Sequence, residues 1–548
     1  MSDAAEITTL RPLAAVVLPA LVVFAVALAD RRPNVREAVS LVGSLATFAV
    51  VASMLPGVLE GRTYVTYLGT FATDIEFAFR ADPLGMVFGA VASGLWVVTA
   101  VYSAGYLRGL EKANQTRFFA ALALSIAAAM GVAFAANLLV LVLFYELMTV
   151  GTYPLVAHDG TERARRVGYK YLAYVLGGGT LAVGGTLLIF YLAGSVTFAP
   201  GGIDALASAA SDDPWLARIA FGLLAAGFGV KAAVMPLHGW LPSAMVAPTP
   251  VSGLLHAVAV VKSGAFALAR VVLEVYGPVT TEALGLAAPL AGVAAATILL
   301  GSLLALRQDD LKRRLAYSTI AQLSFIVLGI ALLTPSAVVG GVVHLPVHAV
   351  GKLTLFFCAG ALAVECETKK VSEMAGIGGR MPLTMTAFAV GAFSLASIPL
   401  FAGFVSKWHL LLGSAEAGNG LVLALFVVSG GLNVAYFWPI VYTAFFETGG
   451  KEDPKPVLEG PLGGARADGG DARTESRTPS AARADGGDRS GASGWKRRPW
   501  TGRETTWLLL GPILAAGALV VAIGIAADWL FVLELAQLVS ENAGVSEP

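Results

Sequence analysis

The sequence is poor in the residues that carry soluble chemistry. Only two of its 548 residues are cysteine, Cys358 and Cys366. They lie on one predicted helix, about 12 Å apart along its axis, too far for a disulfide. Two thiols neither hold an iron–sulfur cluster nor close a zinc site. No phosphate-cradling glycine–lysine loop occurs, and no strand–glycine–helix fingerprint for a dinucleotide. No cofactor is therefore expected. Charged residues make up only 14% of the chain, with 37 Lys and Arg against 37 Asp and Glu. A formal net charge of zero gives no electrostatic reason for a nucleic-acid partner. The N-terminal stretch MSDAAEITTLRPLAAVV has one arginine and no clear cleavage pattern. It reads as a retained first helix rather than a signal peptide.

What the chain has in abundance is apolar helix. Hydrophobic residues make up 56% of it, and mean hydropathy is +0.74. Several apolar runs reach the ~20 residues that a membrane helix needs. The fold class expected is an all-α integral membrane protein with about fourteen transmembrane helices. Two of these spans are interrupted, 217–246 by a group of prolines and 383–413 by Pro399 and Gly403. Charge distribution tests the count. With the N-terminus outside, alternate loops hold Arg31, Arg32 and Arg36, then Arg108, Lys112 and Arg117, then Arg163, Arg165, Arg166 and Lys170. They continue with Arg307, Lys312, Arg313 and Arg314, then Lys369, Lys370 and Arg380. The other side has Arg11, Arg62, Arg80, Arg218 and Arg270. Both termini are thus expected outside a plasma membrane. Spans four to eight and nine to thirteen number five each, an odd count, so two five-helix repeats would insert with opposite orientation.

The stretch from Thr448 to Arg503 differs in kind. It is rich in Gly, Arg, Asp, Ser and Pro, and it repeats ARADGGD at 465–471 and 482–488. Such a segment buries too little apolar surface to offset its chain entropy. A disordered cytoplasmic insertion without chemistry is expected.

Ionisable groups inside the spans carry the functional signal, because a charge at membrane depth is costly, roughly 3 kcal/mol on insertion scales. The central stretch is KAAVMPLHGWLPSAMVAPTPVSGLLHAVAVVKSGAFALAR, Lys231 to Arg270. It carries Lys231, His238, His256 and Lys262, with Pro236, Pro242, Pro248 and Pro250 among them. Prolines exclude one continuous helix, and a broken helix is tolerated only where protein or a wet cavity satisfies the freed backbone groups. Glu146 lies near the middle of span five, and Lys231 is the expected partner for its charge. His344, His348 and Lys352 follow an i, i+4, i+8 spacing and stack on one helical face. Lys407 follows the Pro399 break, as Lys231 accompanies the Pro236 break. The plain alternative is a set of structural ion pairs and polar helix contacts. A metal site would need further ligands that the sequence does not supply.

The segments MPLHGWLPSAMVAPTPVSGLLHAVAVVKSG, DDLKRRLAYSTIAQLS, HAVGKLTLFFCAGAL and IPLFAGFVSKW resemble the antiporter-like membrane subunits. That superfamily includes the large proton-pumping subunits of respiratory complex I and the A and D subunits of Mrp-type cation/proton antiporters. The resemblance runs from about Asp82 to Phe446. It implies fourteen helices with two inverted repeats. It implies proton-transfer roles for Glu146, Lys231, Lys262, Lys352 and Lys407, relay roles for His238, His256, His344 and His348, and helix breaks at Pro236 and Pro399. It divides the chain into a three-helix segment (1–110), two five-helix half-channels (115–275 and 284–447), the insertion (448–503) and a last helix with its tail (504–548). SKWHLLLGS is most similar to the D-type Mrp subunit, and the insertion matches no member. Lys407 disfavours the complex I subunit that has glutamate there, and Trp408 stands where the largest one has aspartate.

The function this implies is a proton-translocating subunit of a multisubunit Na+/H+ antiporter, without a redox or hydrolytic site of its own. Small antiporter subunits and a second antiporter-like subunit would be its partners. The runner-up is a proton-pumping membrane subunit of a complex I-type oxidoreductase or a membrane-bound hydrogenase. The third alternative, a non-transporting scaffold, has no use for so many buried charges.

Overall fold

A computed structural model describes residues 6–72, 75–448, 495, 504–527 and 530–545. Nearly all of the insertion, with its expected disorder, lies outside these residues. The described chain is mostly helical. Its main helices are α1 (Arg11–Leu28), α2 (Pro33–Ala52), α3 (Pro83–Gly109), α4 (Gln115–Ala133), α5 (Leu138–Val156), α6 (Glu162–Ala193), α7 (Pro214–Lys231) and α8 (Val260–Arg270). They continue as α9 (Ala287–Leu306), α10 (Leu311–Ala331), α11 (Pro335–Glu365), α12 (Pro382–Leu395), α13 (Ala402–Glu416), α14 (Gly420–Phe446), α15 (Trp507–Ile525) and α16 (Val532–Asn542). Among the described residues, twelve helices are long and apolar enough to cross a membrane.

Local sequence explains many helix starts. Asp82, Asn137, Thr161, Asp213, Asp310 and Asn419 each accept a hydrogen bond from the backbone amide three residues on. Each satisfies one of the amides that a helix start leaves unpaired. Helix α12 is capped from a distance. The Glu504 carboxylate, just after the insertion, accepts from the amides of Leu383 (2.9 Å) and Thr384 (2.7 Å).

One small sheet accompanies the helices. β1 (Glu6–Thr8) pairs in parallel with β2 (Thr63–Ala72), which pairs antiparallel with β3 (Ile75–Ala81). Apolar runs alone do not reveal this sheet, although the β2 segment TYVTYLGTFA is rich in β-branched and aromatic residues.

The two interruptions fall where the prolines placed them. Helix α7 ends at Lys231, and Ala233 has φ +56°. Protein groups take over the freed backbone: Trp240 Nε1 donates to Val230 O (2.8 Å), and Met235 N donates to Thr297 Oγ1 (3.1 Å). The expected span 250–275 is itself divided. A short helix, Thr249–Gly253, runs into a wide π turn, Leu254–Val258, before α8, and a second π turn follows at Val271–Val275. In the second interruption α12 ends at Leu395, Ser397 and Leu400 take φ of +67° and +76°, and α13 resumes at Ala402. At the centre of the bundle lies α11, buried along nearly all of its length.

Candidate functional site: a buried row of lysines and histidines

The row begins at the first break. Lys231, the last residue of α7, is fully buried. Its Nζ donates to the Tyr145 carbonyl and lies 3.4 Å from the centroid of the Tyr145 ring. The Tyr145 hydroxyl in turn donates to Gly227 O (3.1 Å). Glu146, the expected partner for the Lys231 charge, acts on the lysine electrostatically rather than by direct contact. No ion pair joins Lys231 to Glu146 among the described residues, and Glu146 Oε1 is buried without a hydrogen-bond partner. Successive helical residues point about 100° apart, and the lysine lies on the Tyr145 side. Glu146 stays within electrostatic reach of Lys231. Its carboxyl fills the space that Gly179 leaves on α6; a Cβ there would lie 1.9 Å from Oε1.

The next group sits at the π turn. Lys262 Nζ is hydrogen-bonded to His348 Nδ1. An ammonium only donates, so Nδ1 accepts from it, which places the imidazole proton on Nε2, where no partner is found. His256, within the π turn, has both ring nitrogens buried and unpartnered, its ring 4.8 Å from that of Phe356. π turns of this kind are frequent at functional sites. His238 lies in the first break, partly buried, with Nδ1 unpartnered. It does not join the row by any hydrogen bond to Lys231 or Lys262 among the described residues.

On α11 the helical spacing holds. The His344 and His348 rings are 5.9 Å apart. His344 contacts Ser406 Oγ through Nδ1 (2.9 Å) and Gln322 Oε1 through Nε2 (3.0 Å). Lys352 donates to Leu315 O (3.0 Å) and Ser318 Oγ (2.6 Å). Ser318 is 3.1 Å from the Tyr436 hydroxyl, which also contacts Asn433 Oδ1. At the second break, Lys407 donates to Leu395 O (2.9 Å), the final carbonyl of α12. The same oxygen accepts from Asn433 Nδ2 (3.2 Å) and Gln322 Nε2 (3.4 Å). Lys262, Lys352 and Lys407 are buried, and none of them forms an ion pair among the described residues. Cation–ring contacts help hold two of them, Lys352 at 5.5 Å from Phe437 and Lys407 at 4.6 Å from Phe325.

Sequence reasoning missed Ser318, Gln322, Ser406, Asn433 and Tyr436. Their signal was present: 318 and 322 are one turn apart within STIAQLS, and Asn433 and Tyr436 share a face of an otherwise apolar helix. It also missed a second buried charge group. Arg270 donates to both Asp82 oxygens (2.8 Å each) and to Glu274, and Arg80 reaches Asp82 (3.1 Å) and Glu274 (3.5 Å). Burial pushes the Asp82 carboxyl up, but Arg270 and then Arg80 outweigh it and hold the group down at about 2.

A cavity of about 720 Å³ opens among the basic loops, lined by Lys112, Asp159, Arg163, Asp310, Lys312 and Lys369. Thr249 also lines it, at the start of the short helix that leads to His256. Ala359 and Ala363 of α11 line it as well.

The model of the NADH:quinone oxidoreductase/Mrp antiporter transmembrane family matches residues 135–433. NADH-quinone oxidoreductase subunit N of Desulforudis audaxviator is 34% identical over 460 residues, covering 82% of this chain and 89% of that protein. A probable K(+)/H(+) antiporter subunit from Rhizobium meliloti is 34% identical over 373 residues, 66% of this chain but 36% of that longer protein. Among solved structures, one chain of the Mrp complex from Dietzia sp. DQ12-45-1b superposes with a TM-score of 0.79 at 24% identity, covering 97% of both chains. That likeness concerns the fold.

Proposed function

This chain belongs to the NADH:quinone oxidoreductase/Mrp antiporter transmembrane family, and we propose that it moves protons as one subunit of a multisubunit Na+/H+ antiporter. One observation carries the reading. Three lysines are buried in a multi-pass membrane protein without a counter-ion among the described residues, yet each is hydrogen-bonded. A scaffold has no reason to keep such costly groups. Amines that exchange protons do.

In this reading Lys231, Lys262, Lys352 and Lys407 are the carriers, and His348 and His344 relay between them. Glu146 modulates Lys231 by its charge. Tyr145 offers the lysine a second resting place one residue away. The cavity beside Thr249 supplies water from the cytoplasmic side, and His256 stands between it and Lys262. His238 lies in the first break as a relay for water there. The 115–275 and 284–447 segments act as inverted half-channels, each with one broken helix, in a chain of fourteen crossings with both termini outside. Sodium and protons are the ions moved, and other subunits of a plasma-membrane complex complete the path.

A second reading has its own support. The relative matched over 89% of its length is named a subunit of an NADH-quinone oxidoreductase, and the same lysine row would serve a redox-driven pump. Purifying the intact complex and identifying its partners separates the two. Antiporter subunits, together with proton movement in inverted vesicles on adding Na+, support the first. Quinone-reductase or hydrogenase partners, with no response to Na+ or K+, overturn it.

A further inference from the structure

Helix α8 connects two polar sites. The π turn of His256 precedes it, and the short helix before that turn starts at Thr249, in the wall of the 720 Å³ cavity among the basic loops. The other end of α8 is Arg270, held by both Asp82 oxygens (2.8 Å each) and by Glu274. A second cavity of about 90 Å³ lies there, lined by Arg80, Asp82, Glu274 and Asn542. It is polar and roomy enough to hold water.

Lys262, Phe266 and Arg270 follow an i, i+4, i+8 spacing and stack on one face of α8. The lysine and the arginine are therefore about 12 Å apart along the helix axis, with Phe266 between them on that face. Phe266 is fully buried. Its ring centroid lies 5.1 Å from that of Phe88 on α3 and 5.1 Å from Arg270 Cζ. The Phe198 ring also lies 5.1 Å from Cζ. No group of this column hands a proton to Lys262. A guanidinium keeps its proton at any reachable pH, and a phenyl ring neither donates nor accepts one. Asp82 and Glu274 exchange protons, but they stand at the Arg270 end. Only water could carry a proton across the gap, and one ring packed on another gives water no polar partners there.

We propose that Phe266 is a seal that closes Lys262 to the Arg80–Asp82–Glu274 cavity, so that the first half-channel opens to the basic-loop cavity alone. This rests on the reading of the lysines as proton carriers. A carrier open to both cavities at once would let protons run down their gradient without moving a cation.

The test uses membrane vesicles holding the full chain with its partner subunits, under an imposed pH gradient in choline buffer. Phe266→Gln keeps much of the side-chain volume and offers water an amide to bind. Phe266→Ala opens a gap with the Lys262 ammonium at one end and the Arg270 guanidinium at the other. Each should speed decay of the gradient at least about tenfold over the wild-type protein, the change made by about 1.4 kcal/mol off a barrier. Phe266→Leu stays apolar and should hold the gradient as wild type does. Adding Lys262→Met to Phe266→Gln removes the carrier that the opened gap reaches. It should return decay to the wild-type rate, which general loosening would not do. Wild-type decay in both Phe266→Gln and Phe266→Ala at normal protein level overturns the proposal. So does a leak in Phe266→Gln that survives Lys262→Met, an equal leak in Phe266→Leu, or failure of both Phe266→Gln and Phe266→Ala to accumulate. Lys262→Met alone tests the carrier reading separately: cation-driven exchange at the wild-type rate would sink that reading whatever the leak comparison shows.

Discussion

Three consecutive glycines on α6 separate packing from positioning. At Gly179 an added Cβ would lie 1.9 Å from Glu146 Oε1 and 2.3 Å from its Cδ. To reach the 3.4 Å of ordinary contact, the carboxyl must retreat by about 1.5 Å. It is the far end of a flexible side chain, so the move is cheap in stability, at or below the low end of the ~1–3 kcal/mol usual for overpacking. Its position is what changes, and a misplacement of about 1 Å can cost on the order of 10²-fold in rate. Gly179→Ala should therefore assemble normally and lose most ion exchange. Gly178→Ala should behave in the opposite sense, because its Cβ would meet Gly227 O at 2.9 Å and Val230 Cβ at 2.9 Å, where backbone cannot retreat. Less assembled protein is expected there. Gly177 has nothing within 4 Å, and its alanine variant should match the wild-type protein in both respects. The assay is cation-driven proton movement in vesicles beside a blot for assembled complex. Gly179→Ala exchanging within about twofold of wild type would refute the claim that Glu146 must stand where it does.

Glu146→Gln and Lys231→Ala should each abolish exchange while the protein still inserts, since both remove charge from the bilayer; an active Lys231→Ala protein ends its assignment as a carrier. Lys231→Arg should fail as well, because guanidinium stays protonated. Arg270 and then Arg80 hold the Asp82 carboxyl below its ordinary 3.8 despite its burial, so its contribution is full above about pH 4 and is lost as pH falls through the lowered folded value. That contribution is roughly 2 kcal/mol; Asp82→Asn should lower the thermal midpoint at pH 7 and narrow its difference from wild type below about pH 3, and a constant difference would contradict the argument. Glu504→Ala removes the acceptor for the amides of Leu383 and Thr384 and should raise hydrogen exchange at those two residues by about fivefold, in line with ~1 kcal/mol for a lost cap. Deleting about 460–495 should leave assembly and transport nearly intact, and cysteines at Ser480 and near Pro548 should label from opposite sides of the membrane; apart from Trp495, these positions lie outside the described residues.

Features decided by short-range chemistry were legible in the sequence. The prolines around Pro236 and at Pro399 announced both breaks, and the spacing of His344, His348 and Lys352 announced one face of α11. What lay hidden depended on contacts between distant segments. Lys231 and Tyr145 are 86 residues apart, as are Lys262 and His348. Depth alone could not distinguish Tyr145 from Glu146 as the lysine's neighbour, because adjacent residues on one helix share nearly the same depth. Asn433, Gln322 and Ser318 read as isolated polar residues in apolar helices until the fold gave them one carbonyl and one lysine to serve. Of the three glycines on α6, Gly178 packs against the backbone of α7; that Gly179 instead makes room for a carboxyl required the position of α5.

The breaks also explain how buried amines are held. A continuous helix spends its carbonyls on its own amides, and only its C-terminal end presents free ones with a partial negative charge. Ending α12 at Leu395 places such an end deep in the bundle, and Lys407 binds it. Lys231 is itself the last residue of α7, so the end of that helix favours its charge. Lys352 takes its acceptor from Leu315 within α10 and adds the Ser318 hydroxyl. Lys262 differs. It stands in the first turn of α8, the end that repels a cation, and its sole hydrogen-bond partner among the described residues is the imidazole of His348. Two of the four lysines thus rest at favourable helix ends, and the one facing an unfavourable end is joined to the row of histidines. That asymmetry leaves Lys262 dependent on the His348 imidazole rather than on a helix end for its hydrogen bonding.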